Sequence, residues 1–208
     1  MTDRKDHWQR IYRDKDPREV SWFQIRPECS LALIGGSGID HDAPIIDVGG
    51  GASRLADCLV EEGYARVSVL DVSRYALECA RERMGAKGDS VEWIEADITA
   101  FDPPHEYTLW HDRAVFHFLT EKADRSAYMR VLKHGLHPHG FLVIAAFAIG
   151  GPRRCSGLDI VQYDAEKLMA ELGGEFHLLR QEDEIHITPE GKEQRFSYFF
   201  FRRDTASR

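Results

Sequence analysis

Three aspartates, each in or just after a short apolar segment, are the residues whose type and spacing in this chain suggest chemistry. Asp47 comes just before the glycines at 49–51, and Asp71 and Asp97 follow two later apolar segments. A carboxylate at the end of a second strand can accept hydrogen bonds from ribose hydroxyls. Consecutive glycines let a ligand approach the backbone. The set favours a nucleoside site, although such acids also act as helix N-caps and such glycines as simple tight turns.

The residues after the glycines narrow the kind of nucleoside. A dinucleotide-binding turn has another glycine three residues after Gly51, where it allows close packing beside a pyrophosphate. This chain has Arg54 at that position. A phosphate-binding loop requires Gly-Lys-Ser or Gly-Lys-Thr, and neither follows the turn. We therefore expect a ligand that carries ribose and need not carry phosphate.

Alternating strands and helices are predicted to bring the three acids to one edge of a sheet. The predicted strands are 45–48, 66–70, 91–94, 106–111 and 141–149, and the predicted helices are 3–12, 27 to about 35, 52–62, 73–84, 120–136 and 163–172. Segments 175–187 and 193–203 are separated by a short turn and favour an antiparallel hairpin. The expected fold is α/β, a doubly wound, Rossmann-like, mainly parallel seven-stranded sheet with a C-terminal antiparallel hairpin.

Composition indicates one globular domain over residues 1–208, with residues 1–40 as an N-terminal helical cap. Hydrophobic residues make up 43% and charged residues 30%, and the formal net charge of −8 disfavours nucleic acid. No signal peptide is visible, and the longest apolar run, 141–149, is too short to span a bilayer. The four cysteines lack paired spacing. We expect a cytoplasmic protein with reduced thiols and with no metal, nucleic-acid or membrane partner.

As a set, these motifs resemble the class I S-adenosylmethionine-dependent methyltransferases. Residues 47–51 are similar to the first motif of that family, residues 69–73 to the second and residues 95–98 to the third. The resemblance covers about residues 42–203, including the terminal hairpin. It implies S-adenosyl-L-methionine as the cofactor.

The resemblance also implies roles for individual residues. Gly49 and Gly51 would approach the methionine part, Asp71 would hold the ribose, and Asp47 would face the cofactor's amino group. At the adenine, Val72 would stack and Asp97 with Ile98 would read the base. The full expected cofactor-binding set is Trp22, Asp47, Gly49, Gly50, Gly51, Asp71, Val72, Asp97, Ile98 and His111.

Residues 110–117 follow the fourth predicted strand, where this family places groups near the transferred methyl. The segment is similar to the Trp-Asp-Arg-Gly segment of thiopurine and thiol methyltransferases. It is also similar to the Leu-Asp-Lys-Gly segment of lysine methyltransferases that act on elongation factor and citrate synthase. Both patterns usually have glycine where this chain has Ala114.

Methyl transfer is an in-line displacement that needs a nucleophile held in place, desolvated and deprotonated. A thiol arriving as thiolate requires little base catalysis, whereas an amine must first lose a proton. His111, Asp112 and His117 are the candidate catalytic residues, although a lone histidine is more often structural. Arg113 is a candidate for substrate binding or, alternatively, a structural partner for a carboxylate.

A second candidate substrate segment is the loop at residues 150–158. It follows the fifth predicted strand and combines glycines with Arg153, Arg154 and Cys155. We expect a lid whose Arg153 and Cys155 contact the substrate, with an ordinary solvated loop as the alternative. The expected function is methyl transfer from S-adenosylmethionine to a small molecule, such as a thiol or another soft nucleophile. A protein lysine methyltransferase is the alternative, and a non-catalytic S-adenosylmethionine-binding module ranks last.

Overall fold

A seven-stranded sheet organises the protein in the computed structural model, which describes residues 2–204. The sheet strands are β1 (Ile45–Val48), β2 (Val67–Asp71), β3 (Val91–Glu95), β4 (Tyr107–Arg113), β5 (Leu136–Phe147), β8 (Phe176–Ile187) and β9 (Glu193–Arg203). Their order is β3-β2-β1-β4-β5-β9-β8, with β1–β5 parallel and β9 antiparallel to both neighbours. The predicted fold is confirmed. Residues 1 and 205–208, which the predicted domain includes, lie outside the described range.

Six helices accompany the sheet in the part of the chain that the structure describes. They are α1 (Thr2–Asp14), α2 (Glu28–Gly36), α3 (Leu55–Glu61), α4 (Arg74–Met84), α5 (Lys122–Gly135) and α6 (Ala165–Leu172). Short 3₁₀ turns cover Gly85–Ser90 and Phe116–Phe118. The Ser73 hydroxyl accepts a hydrogen bond from the Ala76 N–H and so caps α4. Within residues 2–204, no helix is both long and apolar enough to cross a membrane.

Strand β1 shows how the sheet holds its core on both faces. Successive side chains of a strand point to opposite faces. Ile46 and Val48 pack into the core that contains Trp110, while Ile45 packs into the opposite core with Leu59. All four residues of β1 are buried, as expected for a parallel strand covered by helices on both sides.

Two predicted boundaries are wrong for identifiable reasons. Strand β5 begins at Leu136 instead of Phe141, because Leu136 already pairs with Tyr107 and the intervening residues are accommodated by a shift in register. Helix α3 begins at Leu55 instead of Ala52, because the chain is still turning at residues 51–54. The predicted loop at 150–158 also contains two short paired strands, β6 (Arg154–Cys155) and β7 (Leu158–Asp159).

Candidate functional site

A deep cavity lies at the carboxyl ends of the parallel strands, where ligands of open α/β sheets bind. Its empty volume, counted to include the open mouth, is about 830 Å³. One part, which we call the strand-end half, contains Val48, Gly49, Leu70, Asp71, Val72, Ala96, Asp97 and Ile98. The other, the aromatic half, contains Trp8, Trp22, Arg113, Phe118, Phe147, Cys155, Gln194 and Phe196.

Asp71 is the buried carboxylate of the strand-end half. Its Oδ1 accepts a hydrogen bond from the Ser73 N–H at 2.7 Å. Burial raises the pKa of Asp71 to about 7, opposed by the backbone hydrogen bond from Ser73 and reinforced by the negative charge of Asp47. A group that donates hydrogen bonds to this carboxylate would favour its ionised form.

The glycine turn brings bare backbone against Asp71 and the rest of the cavity. Gly49 has a φ of 67° and Gly51 a φ of 45°, both in the left-handed region that favours glycine. A Cβ at Gly49 would overlap the Val115 side chain, and one at Gly51 would lie 2.8 Å from the Asp71 Oδ2. Both positions therefore require glycine. Gly49 lies on the cavity wall, whereas Gly51, expected to contact the cofactor, is on the wall of neither cavity because Asp71 and Tyr12 cover it.

Asp97 closes the far end of the strand-end half. Its Oδ1 accepts hydrogen bonds from the Thr99 N–H at 2.9 Å and the Thr99 hydroxyl at 2.7 Å. Its Oδ2 lies 3.6 Å from the Arg4 guanidinium of α1. Val72 and Ile98 add an apolar surface to the same end of the cavity. This end is suited to a flat group with polar edges.

A second, smaller cavity adjoins the glycine turn and holds a buried hydrogen-bonded chain. The His111 Nδ1 lies 2.7 Å from the Asp47 Oδ1, and its Nε2 lies 2.9 Å from the Ser30 Oγ. All three residues line this cavity together with Gly49 and Gly50. They are almost fully buried, with relative exposures of 0–3%. The chain fixes the orientation of Asp47 beside the backbone of the turn.

The aromatic half is walled by rings from five separate segments of the chain. Trp8 contacts Phe118 and Trp22 edge-on, with ring centroids 5.1 and 5.7 Å apart. Phe147 and Phe196 meet on the other side with centroids 4.7 Å apart. Such walls suit an apolar or aromatic occupant. Trp22 also lines the second cavity and so lies between the two spaces.

Arg113 is the only lysine or arginine of the aromatic half. Its Nε donates to the Tyr198 hydroxyl at 2.8 Å, and its Nη1 donates to the Trp22 carbonyl at 3.2 Å. The guanidinium carbon lies 4.3 Å from the centre of the Phe196 ring. The Nη2 is buried and has no hydrogen-bond partner among the described residues. One donor of a fixed, buried cation therefore remains available.

Asp112 and His117, two of the candidate catalytic residues, are not on the wall of either cavity. Asp112 accepts hydrogen bonds from the Tyr128 hydroxyl at 2.7 Å and the Val115 N–H at 2.9 Å. It is fully buried, and burial raises its pKa to about 6. These contacts anchor the turn after β4. His117 packs against Phe118 and Phe147, and burial lowers its pKa to about 3.

The loop at 150–158 contributes one of its two candidate residues to the cavity. Cys155 is buried and lines the aromatic half, and burial raises the pKa of its thiol. Arg153 is exposed and is absent from the cavity wall. Arg154 is bound to Asp159 on the outer side of the β6–β7 hairpin. The cations expected from this loop therefore lie outside the cavity, and the positive charge of the aromatic half comes from Arg113.

The backbone conformation of Ala114 explains why the similar sequence patterns usually have glycine at this position. Its φ is 72°, in the region where a side chain is strained. Ala114 lines the cavity and donates a backbone hydrogen bond to the Ala145 carbonyl at 2.9 Å. A glycine would adopt this conformation without strain, and this chain accepts the strain of a single methyl group.

Two residues of the site had no functional interpretation from sequence, Ser30 and Gln194. Ser30 is a lone buried hydroxyl among apolar residues of α2, and such isolation is a signal for a specific partner. Gln194 lies two residues before Phe196 on β9, so both side chains face the same side of the sheet. The antiparallel direction of β9 brings its first residues to the cavity edge.

The described residues fit S-adenosylmethionine. The Oδ2 of the buried Asp71 has no side-chain hydrogen-bond partner among the described residues and can accept from ribose, and the backbone of Gly49 lies on the walls of both cavities. Asp47 in the second cavity can face an ammonium group. Among residues 2–204, no cluster of three histidine, cysteine or acidic residues is placed to hold a metal ion.

Comparisons with known proteins agree with this geometry. Residues 45–140 match the model of a family described as a methyltransferase domain. A trans-aconitate 2-methyltransferase of Azoarcus sp. (strain BH72) is 29% identical over 130 residues, which is 62% of this chain and 49% of that protein. The match thus spans about half the length of the curated relative.

Solved structures resemble the whole fold. One, from work on the conversion of a disulfide bond into a thioacetal group during echinomycin biosynthesis, has a TM-score of 0.78 and 18% identity, covering 98% of this chain and 94% of that chain. The N-methyltransferase NodS of Bradyrhizobium japonicum, solved with S-adenosyl-l-homocysteine, has a TM-score of 0.69 and 19% identity. The match covers 86% of this chain and 85% of the NodS chain. Residues 45–140 thus match a methyltransferase domain, and the chain has the fold of these solved S-adenosylmethionine-dependent methyltransferases.

Proposed function

We propose that this protein transfers a methyl group from S-adenosylmethionine to a small, largely apolar acceptor that carries a thiol or another soft nucleophile. One observation carries the proposal: the strand-end half, with Asp71 and the glycine turn, opens directly into an aromatic half of the same cavity. In this proposal the strand-end half holds the adenosine and the second cavity holds the methionine part. The aromatic half holds the acceptor.

The cofactor supplies an activated methyl group on a sulfonium sulfur. Asp71 and the glycine turn would hold this cofactor, which would supply its methyl group to a lone pair of the acceptor and keep the electron pair of the broken S–CH₃ bond on its sulfur. The protein's residues position and desolvate the acceptor between Trp22, Phe147 and Phe196. The positive charge of Arg113 favours an anionic acceptor, and a thiolate needs no further base.

The residues of the aromatic half support an acceptor that arrives already deprotonated. None of the residues named as its wall is a histidine or a carboxylate. Burial raises the pKa of the Cys155 thiol, so Cys155 stays protonated at neutral pH and cannot accept a proton. His111, the third candidate catalytic residue, lines the second cavity and is hydrogen-bonded to Asp47 and Ser30. We assign it to positioning rather than proton transfer.

A protein lysine acceptor is the second candidate, and the cavity favours it less. A lysine side chain would need an open cleft with an acid to accept its proton. The wall of the aromatic half instead presents a guanidinium and rings. The curated relative is named for a small molecule, trans-aconitate, which also supports a small-molecule acceptor.

The test is a methyl-transfer assay with labelled S-adenosylmethionine and three acceptor groups: aryl thiols, aryl amines and lysine-containing proteins. We expect turnover with thiols and little with the other two. Turnover confined to protein lysines would replace the proposal by the lysine alternative. Tight binding of S-adenosylmethionine with no turnover in any group would favour a non-catalytic binding module.

A further inference from the structure

The aromatic half contains two buried polar atoms that its own residues leave unsatisfied. They are the Nη2 of Arg113 and the Oε1 of Gln194, and both residues line the cavity. A buried polar group without a partner is destabilising, by more when it is charged. Both atoms belong to residues that line one cavity, so a polar group of an occupant is a candidate for the missing partner.

The surroundings of Arg113 show why its charge is still available. The Oε2 of Glu184 is 3.7 Å from the Arg113 Nη2, which is too far for a hydrogen bond. Glu184 accepts hydrogen bonds from Gln24 at 2.9 Å and from the Tyr198 hydroxyl at 3.1 Å. Glu184 therefore orients the guanidinium and offsets part of its charge without occupying the free donor.

Gln194 can serve as the second donor. The Gln194 Oε1 accepts no hydrogen bond from the described chain. Rotation of the amide by 180° therefore breaks no hydrogen bond to this oxygen. After rotation the NH₂ group faces where the oxygen had been. Phe196, which lies on the same side of β9, contacts the Arg113 guanidinium and connects the two positions.

We propose that Arg113 and Gln194 form a carboxylate-binding subsite, so that the acceptor is an aromatic or apolar acid with a separate nucleophilic atom. The inference rests on the proposed function, because it assigns the aromatic half to the acceptor. A planar carboxylate offers lone pairs to a guanidinium donor and an amide donor at once. The apolar remainder of the acceptor lies against Trp22 and Phe147. The exposed Arg153 takes no part.

Binding can test the subsite without turnover. Protein saturated with S-adenosylhomocysteine is titrated calorimetrically with three aryl acids, benzoate, phenylacetate and 3-phenylpropionate, and with the methyl ester of each. For at least one pair we expect the acid to bind about 10-fold to 100-fold more tightly than its ester, as for hydrogen bonds to a charged group.

Variants of Gln194 then assign the preference. Gln194→Leu should lower affinity for the preferred acid about 3-fold to 10-fold and leave that for its ester unchanged. Gln194→Glu should remove the preference, because a second carboxylate repels the acid. Arg113→Lys should also weaken acid binding, but this change disturbs the contacts with Tyr198 and Trp22, so the Gln194 variants decide. Gln181→Leu, at an exposed position of β8, is the matched control.

The outcomes separate the two proposals. If S-adenosylhomocysteine binds but every acid and ester pair binds equally, the carboxylate subsite is wrong and the proposed methyl transfer stands. An acid preference that survives in both Gln194 variants would also overturn the subsite as assigned. Failure to bind S-adenosylhomocysteine at all would count against the proposed function itself.

Discussion

The strand-end half and the aromatic half share one cavity, but their residues come from the chain in different ways. Asp71, Val72, Asp97 and Ile98 lie at or directly after the ends of β2 and β3. The aromatic half combines Trp8 of α1 with Gln194 of β9, at opposite ends of the sequence. A local pattern of strand, turn and helix therefore builds one half, and only long-range packing builds the other.

This difference suggests how each half tolerates change. The strand-end half depends on a few backbone positions with little freedom, so single substitutions there should have large effects. The aromatic half is a surface of side chains from separate segments, and its substitutions should alter preference among acceptors more than folding.

Gly49→Val should be the most damaging change. It places a β-branched side chain at a φ of 67° and against Val115. Left-handed strain and overpacking together should lower the free energy of unfolding by about 2–5 kcal/mol. Urea unfolding measures this loss, and calorimetry should show loss of S-adenosylhomocysteine binding. Gly174→Ala, where a Cβ would meet nothing within 4 Å, is the control. Equal effects of the two changes would contradict the prediction.

Asp71→Ala should weaken S-adenosylmethionine binding by about 1–3 kcal/mol, because the ribose hydroxyls lose their acceptor. Isothermal titration calorimetry measures the change. Asp102→Asn, whose parent side chain is 95% exposed, should leave affinity unchanged. Acid binding to the aromatic half should survive in Asp71→Ala if the halves are independent. An unchanged dissociation constant for the cofactor would refute the role of Asp71.

Cofactor affinity should rise with pH through about 7, the pKa of Asp71 in the free protein. The ionised carboxylate accepts ribose hydroxyls, so affinity should fall roughly tenfold for each pH unit well below that value. Calorimetry from pH 5.5 to 8.5 measures the slope, which Asp71→Asn should abolish.

The same pKa gives the free protein an unusual stability profile. The folded pKa of Asp71 lies above its unfolded value, so its ionisation destabilises the fold. The stability that protonated Asp71 contributes is therefore lost as pH rises from about 4 through about 7. Asp71→Asn should accordingly make the free protein more stable than wild type at pH 8 in urea unfolding. A less stable variant would contradict this sign.

Ser30→Ala should act selectively on the second cavity. Loss of the hydroxyl bonded to His111 removes about 1 kcal/mol of hydrogen bonding and loosens Asp47. We expect S-adenosylhomocysteine to bind about 2-fold to 10-fold more weakly. Methylthioadenosine, which lacks the amino-acid tail, should bind as in wild type. Equal weakening of both ligands would indicate a general structural defect.

Ala114→Gly should have the smallest effect. It relieves the strain of a φ of 72°, partly offset by the greater freedom of glycine in the unfolded chain. The free energy of unfolding should rise by up to about 1 kcal/mol. Urea unfolding measures it, and a clear loss of stability would show that the methyl group makes a packing contact worth more than the strain.

Much of the fold was predictable because its signals are local. Apolar runs ending in acids and glycines place β1, β2 and β3 within one or two residues. The terminal hairpin follows from two long segments joined by a Pro-Gly turn. The start of β5 was not predictable, since it depends on pairing with Tyr107 across the sheet.

Within residues 110–117, the residue types suggested candidate chemical roles but did not reveal which side chains face the cavities. His111 and Arg113 face the cavities, while Asp112 between them faces the opposite core and binds Tyr128. Strand alternation separates these residues into two sets, but it does not say which set faces the ligand. The same limit applies to Gln194, whose importance depends on the direction of β9 and the position of Arg113.

The strand-end half could be predicted from local sequence, since the glycine turn and the acids lie within the strand–turn–helix units that position them. The tertiary structure alone decided the aromatic half. Its walls require the N-terminal helices, the turn after β4, the β6–β7 loop and the C-terminal hairpin to meet. Their meeting depends on packing between residues far apart in sequence, and no local spacing encodes which charged side chain, Arg113 or Arg153, then faces inward.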